Sequence, residues 1–207
     1  CLTLPFWLPL LAHPPAAILV VRDPSEVAFS LQRRDGYPLS LGLAIWNRYV
    51  RESITAVAGL PVFVLAYRDL VEQPDAGALK LATFLSEHGF PVPNGGVARA
   101  AAGLAPELRH HRGQPASERL GAPSPLLDES RALLDLVQGR RGAHTSWTAP
   151  SLPPEPAWVS EAIELAAAGE MVAYANEVAQ RELKWIKRSR LFAATRALWR
   201  VTSTGPE

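Results

Sequence analysis

Residues 16–34 read AAILVVRDPSEVAFSLQRR, and they decide the fold that the sequence predicts. The run from Ala16 to Val21 is apolar throughout and rich in β-branched residues, which is typical of a strand buried on both faces of a parallel sheet. A helix start follows at once, because Asp23 can cap the first amides, Pro24 suits the first helical position and Glu26 can complete a capping box. The stretch therefore predicts a buried strand that turns directly into a helix.

Arg22 falls at the carboxyl end of this strand, and Ser30 falls about two turns into the helix. Seven helical steps from Asp23 to Ser30 cover roughly 10 Å, most of which an arginine side chain can span. A guanidinium and a hydroxyl suit an anion at this edge, because open α/β folds bind ligands beyond the carboxyl ends of their strands. The alternative is a solvated arginine and an ordinary helical serine, and spacing alone leaves both open.

A second apolar run, Pro61 to Tyr67, has the same strand-like composition. Helical patterns separate the two runs, including a long one from Ser40 to Gly59. A connection of this length permits parallel pairing with a right-handed crossover. The predicted fold class is therefore α/β, with a parallel sheet flanked by helices on its faces.

The composition divides the chain into three parts. Residues 1–141 carry the strand and helix patterns of an α/β domain. Residues 142–156 contain four prolines and no periodicity, which is typical of a linker. Residues 157–207 have helix-forming composition and end in basic residues interleaved with tryptophan and phenylalanine, which suits a helical extension that meets a further domain, a partner helix or a membrane surface.

Charge and cysteine content exclude several classes of protein. A formal net charge of +1 gives no field that would attract nucleic acid. Cys1 is the only cysteine, so an internal disulfide framework and a cysteine zinc site are excluded, and a reducing compartment fits. No apolar run approaches the roughly 20 residues that span a bilayer. We therefore expect a cytoplasmic protein, peripheral to a membrane if its basic helix binds one.

The strand ending in Arg22, the Asp-Pro after it and Ser30 resemble the 3′-phosphate-binding element of sulfotransferases that use 3′-phosphoadenosine-5′-phosphosulfate, particularly bacterial enzymes related to glycan sulfotransferases. The resemblance continues through residues 30–36, 42–49 and 67–70, and covers less than half of the chain. It implies a P-loop-NTPase-like sheet, incomplete at its amino end, with Arg22 and Ser30 as ligands of the donor nucleotide. It also implies transfer of a sulfuryl group to a hydroxyl of a carbohydrate or glycolipid, without a metal.

In this family, a Gly-rich loop far upstream cradles the 5′-phosphosulfate, and no such loop occurs here. We therefore interpret the chain as the carboxyl-terminal part of a larger enzyme, whose catalytic base we expect before Cys1. Related enzymes often carry a basic segment that closes over the nucleotide, which makes Arg109 and His110 further candidate ligands. A solvated basic loop is the alternative for that segment.

Two other functions compete with the sulfotransferase hypothesis. One is a non-catalytic, sulfotransferase-like interaction module whose basic helix holds a complex or a membrane. The other is a nucleotide kinase-like enzyme on the same doubly wound fold, which the absence of a Walker loop disfavours.

Overall fold

The computed structural model describes residues 3–13, 15–103 and 124–188. The strands are β1 (Ala17–Val21), β2 (Val62–Ala66) and β3 (Gly142–His144). The helices are α1 (Leu4–Trp7), α2 (Pro24–Asp35), α3 (Leu39–Ala56), α4 (Tyr67–Glu72), α5 (Pro74–Glu87), α6 (Gly96–Gly103), α7 (Pro125–Gln138) and α8 (Ala157–Arg188). A short 3₁₀ turn, Leu8–Leu10, follows α1. No helix within these ranges is long and apolar enough to cross a membrane.

Helix α2 begins as the sequence predicts. The Asp23 carboxylate accepts hydrogen bonds from the backbone amides of Ser25 (2.9 Å) and Glu26 (3.3 Å), and Pro24 occupies the first helical position. The helix ends at Gly36, which adopts φ 74°, a conformation that glycine enters at no steric cost. Local capping therefore fixes both ends of the helix that follows β1.

The sheet has the order β1-β2-β3. Strands β1 and β2 pair in parallel from Ala17 opposite Val62 to Val21 opposite Ala66, which confirms the predicted parallel pair. Strand β3 pairs antiparallel with the other edge of β2, so the sheet is mixed and the prediction of a purely parallel sheet was wrong. Only residues 139–141 separate α7 from β3, so the direction of β3 follows from where α7 ends, and Gly142, with φ 106°, makes the turn into the strand.

Strand β2 is the centre of the core, and all five of its residues are buried. Val62 and Val64 pack on one face, in a cluster that takes side chains from β1, α3 and α7. Phe63 and Leu65 pack on the other face against Phe84 of α5. The continuous apolar run of β2 thus reflects cover on both faces.

Strand β1 differs from this expectation. Leu19 and Val21 are buried, but Ile18 is 41% exposed and Val20 is 50% exposed. The prediction that β1 is buried on both faces was therefore wrong. Helix α5 covers this face of the sheet at β2, where its buried Phe84 packs over Phe63 and Leu65. Ile18 and Val20 lie beside these two residues on the edge strand and stay half-exposed.

The segment predicted as a linker, residues 142–156, is packed against the core instead. Its first residues form β3, and Trp147 is only 2% exposed. The Trp147 indole donates to the backbone oxygen of Ile54 at 2.9 Å, and its backbone amide and oxygen bond to Leu60 (2.8 Å) and Gly59 (2.9 Å). The prolines, which all lie after residue 149, exclude a helix there, but they do not prevent the tryptophan from filling the core.

Two arginines of α3 hold the rest of this segment. Arg48 donates to both carboxylate oxygens of Glu155, at 2.6 and 2.7 Å, and Arg51 donates to the backbone oxygen of Pro153 at 2.6 Å. Residues 1–162 form one compact unit and residues 163–207 a second, of which the structure describes the part of α8 up to residue 188. The packed segment therefore belongs to the first unit.

Replacing Trp147 with alanine should lower the free energy of unfolding by about 3–5 kcal/mol, because a fully buried aromatic side chain is removed and leaves a cavity. Tyr49→Ala is the matched control, since Tyr49 is an aromatic residue 47% exposed, and its loss should have a small effect. Urea unfolding of the three proteins tests this. Equal stability of Trp147→Ala and the parent chain would show that residues 142–156 are not part of the core.

Glu155 should make stability depend on pH. Hydrogen bonding to Arg48 lowers the pKa of Glu155 below its ordinary value, so its stabilising effect is present above the pKa of the unfolded chain and disappears as pH falls through the folded value. Glu155→Gln should lower the free energy of unfolding at pH 7 by about 1–2 kcal/mol and reduce the loss of stability in acid. Unfolding by urea from pH 7 to pH 3 measures both effects.

The exposed Glu161 provides the control, as Glu161→Gln should leave the pH profile unchanged. Identical profiles for Glu155→Gln and the parent chain would contradict a stabilising role for the Arg48–Glu155 pair.

Candidate functional site

Arg22 and Tyr67 meet at one edge of the sheet because of the register between β1 and β2. Val21 lies opposite Ala66, the last residues of the two strands, so the next residue of each chain segment emerges at the same carboxyl edge. The guanidinium carbon of Arg22 lies 4.6 Å from the centroid of the Tyr67 ring. This is within the range of a cation–π contact. The sheet topology thus places a cation on an aromatic ring where the sequence predicts an anion site.

Three contacts hold Arg22 in place. Its Nε donates to the Glu26 carboxylate at 2.8 Å, its guanidinium lies on Tyr67, and its backbone oxygen accepts a hydrogen bond from the Trp46 indole at 3.0 Å. The side chain is 27% exposed, so it is partly withdrawn from solvent but still accessible. Both the backbone and the guanidinium of Arg22 are therefore held in place.

The outer nitrogens of the Arg22 guanidinium are available for a ligand. Within the described ranges, neither Nη atom donates a hydrogen bond to another residue. A guanidinium whose Nε and one face are already engaged presents its remaining donors as a fork, which suits the oxygens of a phosphate or sulfonate. The arrangement can bind an oxyanion without reorganising the side chain's other contacts.

Ser30 lies on α2, one turn beyond Glu26 and on the same face of the helix. One turn separates them by about 6 Å along the axis. Ser30 is half-buried, and no hydrogen bond joins it to Arg22 in the described part of the chain. Ser30 therefore lies on the same side of α2 as Glu26, the residue that binds Arg22. The Arg22 side chain itself contacts Glu26 and Tyr67.

Helices α2 and α3 approach closely where Gly42 faces Ala28. A Cβ atom at Gly42 would lie 2.8 Å from the Cα of Ala28, which is too short for any real contact. The glycine therefore permits the close approach of the helix that carries Ser30 to the helix that carries Trp46. The position of the candidate site depends on this contact.

The other predicted site residues lie elsewhere. Arg109 and His110, the candidates in the basic segment, fall outside the described residues. Among the described residues, no group of three histidine, cysteine or acidic side chains is placed to hold a metal ion. Arg68 directly follows Tyr67; its side chain is 82% exposed and bonds to Glu72 at 2.8 Å.

Sequence reasoning missed the two partners of the Arg22 side chain. Glu26 was assigned to a capping box, whereas its carboxylate bonds to Arg22, and the four-residue spacing of this pair was the available signal. Tyr67 ends the second apolar run, so its place at the sheet edge was available from the sequence, whereas its contact with the Arg22 guanidinium was not. The Trp46 indole bond to Arg22 joins residues 24 positions apart and has no local signal.

No family model, no curated protein and no solved structure matches this chain. A function is therefore inferred from the geometry around Arg22 and from the resemblance of the Arg22–Ser30 stretch to the 3′-phosphate-binding element of sulfotransferases.

Replacing Gly42 with alanine should lower the free energy of unfolding by about 1–3 kcal/mol, because the added methyl group must push α2 and α3 apart. Gly169→Ala is the control: this glycine is also inside a helix, and a Cβ there would meet nothing within 4 Å. The control should be neutral or stabilising by up to about 1 kcal/mol. Thermal unfolding of both variants measures the contrast, and equal effects would contradict the close helix contact.

Proposed function

We propose that this chain binds the 3′-phosphate end of 3′-phosphoadenosine-5′-phosphosulfate, as the carboxyl-terminal part of a sulfotransferase with a P-loop-like fold. The observation that carries the proposal is the oriented Arg22 guanidinium, held by Glu26 and Tyr67 at the carboxyl edge of a parallel strand pair. The lone Cys1 fits a reducing compartment, so the proposal includes a cytoplasmic location.

The chemistry of a phosphate monoester suits this edge. Its oxygens carry close to two negative charges near neutral pH, and a guanidinium can donate to two of them in parallel. Contact with the Tyr67 ring removes water from one face of Arg22, which strengthens the interaction of its remaining donors with an anion. The Ser30 hydroxyl can donate a further bond from the next turn of α2.

The proposed reaction is an in-line displacement at sulfur. The acceptor hydroxyl oxygen forms a bond to sulfur, the bond from sulfur to the phosphate oxygen breaks, and its electron pair leaves with adenosine 3′,5′-bisphosphate. A base takes the hydroxyl proton, and we expect that base before Cys1. The task of the described residues is to hold the donor so that its sulfonate faces the acceptor, a carbohydrate or lipid hydroxyl.

Arg22→Ala should weaken binding of 3′-phosphoadenosine-5′-phosphosulfate about 10- to 150-fold, because a hydrogen bond to a charged group contributes roughly 1.5–3 kcal/mol. It should barely change the affinity for adenosine-5′-phosphosulfate, which lacks the 3′-phosphate. Ser30→Ala should have a smaller effect of the same kind. Calorimetric titration of the 207-residue chain with both nucleotides measures these affinities.

Arg34→Ala is the control, since Arg34 also bonds through Nε to a carboxylate, that of Asp35, at 2.9 Å. It should leave both affinities unchanged, because the Arg34 side chain is 72% exposed and lies at the far end of α2 from Arg22. Equal losses for the two nucleotides in Arg22→Ala, or no loss for either, would remove Arg22 from the proposed site.

A further inference from the structure

The Arg22–Glu26 pair presents a ligand with no net charge. The Arg22 guanidinium is bonded to the Glu26 carboxylate at 2.8 Å, so one positive and one negative charge lie side by side at the carboxyl edge of the sheet. A phosphate monoester carries close to two negative charges near neutral pH, and the Glu26 carboxylate repels it. Binding of such a ligand at Arg22 therefore calls for a second cation.

Arg68 lies at the same edge of the sheet. Because Val21 pairs with Ala66, Tyr67 emerges beside Arg22, and Arg68 is the next residue. Neighbouring strands are about 4.8 Å apart and consecutive Cα atoms about 3.8 Å apart, so the Cα atoms of Arg22 and Arg68 lie within roughly 10 Å of each other. Two arginine side chains that start at this separation can reach one phosphate group.

The charge of Arg68 interacts with the carboxylate that holds Arg22. The pKa of Arg68 is raised above its ordinary value, chiefly by its hydrogen bond to Glu72, and the negative charge of Glu26 contributes to the rise. Glu26 is the same group that accepts the hydrogen bond from the Arg22 Nε. Both arginines therefore lie close enough to Glu26 to interact with its charge.

The bond between Arg68 and Glu72 is easily exchanged. The Arg68 Nε donates to Glu72 at 2.8 Å, but the two side chains are 82% and 49% exposed. Exposed ion pairs four residues apart on a helix stabilise it only slightly, and the order in which the cation precedes the acid is the less favourable one. In the described part of the chain, neither Nη atom of Arg68 bonds to another residue. Arg68 can therefore leave Glu72 for a bound anion at little cost.

The carboxylate next to Arg68 in the sequence already has a partner. Asp69 pairs with Arg141 at 3.2 Å. Arg141 comes to this edge because the residue after it, Gly142, lies opposite Val64 in the antiparallel pair of β2 and β3. Asp69 therefore does not hold the Arg68 guanidinium in place.

We propose that Arg68 is a second binding residue for the phosphate at Arg22, and that its guanidinium leaves Glu72 when the ligand binds. The inference rests on the proposed function, since the phosphate concerned is the 3′-phosphate of the donor nucleotide. Glu26 and Tyr67 fix Arg22 before the ligand arrives, whereas the exposed Arg68 moves to it. Two guanidinium groups then balance a doubly charged phosphate in the presence of Glu26, so the site selects a phosphate monoester over an ester with a single negative charge.

Calorimetric titration of the 207-residue chain with adenosine 3′,5′-bisphosphate tests this assignment. Arg68→Ala should weaken binding about 5- to 20-fold, because a charge-assisted donor is lost from a partly exposed site. The affinity for adenosine 5′-monophosphate, which lacks the 3′-phosphate, should not change. Arg34→Ala is the control, since the Arg34 side chain is also exposed, at 72%, and lies near the end of α2.

Glu72→Gln tests the same assignment with the opposite sign. Removal of the Glu72 charge frees Arg68, so the affinity for the bisphosphate should rise about two- to fourfold. Asp35→Asn is the matched control, because it removes the carboxylate partner of Arg34 and changes the net charge by the same amount. It should leave the affinity unchanged. The gain from Glu72→Gln should largely disappear when Arg68 is also replaced by alanine.

Weaker binding in Arg22→Ala together with unchanged binding in Arg68→Ala would overturn the role of Arg68 and leave the proposed function standing. Unchanged binding in Arg22→Ala would overturn the proposed site, and the role of Arg68 with it. Equal losses for the two nucleotides in Arg68→Ala would also contradict the assignment, because the effect would then be one of folding. The same gain from Asp35→Asn as from Glu72→Gln would contradict it too, because net charge alone would explain both.

Discussion

Burial of β2 on both faces is the constraint on which the rest of the structure depends. Its five residues are at most 6% exposed, and each face requires its own cover. One layer comes from α3, α7 and Trp147, and the other comes from α5. Because β2 is held in this way, β1 can pair beside it in a single register, and this register brings Arg22 and Tyr67 to the same edge. The candidate site is thus a consequence of the core.

Sequence reasoning succeeded where the signal is local. The apolar runs of β1 and β2 predict strands, and the Asp23-Pro24 start predicts α2. It failed where the cause is distant in the chain: the Trp147 indole bonds to a carbonyl 93 residues earlier, and three residues of β3 show no alternation that could identify a strand. Proline content correctly excludes a helix at residues 142–156, but it contains no information on whether a tryptophan there fills a core.

The candidate site was predictable in part, for the same reason. The position of Arg22 at a strand end follows from topology, so the sequence suffices to place it. The partner of Glu26 does not follow, because one glutamate can complete a capping box or pair with an arginine four residues earlier. The structure contains the second arrangement, since a charge-assisted bond to a guanidinium is stronger than a bond to a neutral amide. Arg109 and His110 remain sequence-based expectations.

Helix α3 connects the site to the segment after β3. Trp46 bonds to the Arg22 oxygen, and the next residue, Asn47, accepts a hydrogen bond from Arg51, which holds Pro153. Burial lowers the pKa of Arg51, and the Asn47 Nδ2 has no hydrogen-bond partner among the described residues although it is fully buried.

An unpaired buried amide costs about 1–3 kcal/mol, so Asn47 is a poor choice for packing alone. Its oxygen is nevertheless the acceptor for the Arg51 Nε at 2.6 Å, and an apolar residue in its place would leave the nearly buried cation without that bond. The unfavourable amide is thus tied to the arginine that holds Pro153 against α3, and Asn47 and Arg51 can be replaced at low cost only together.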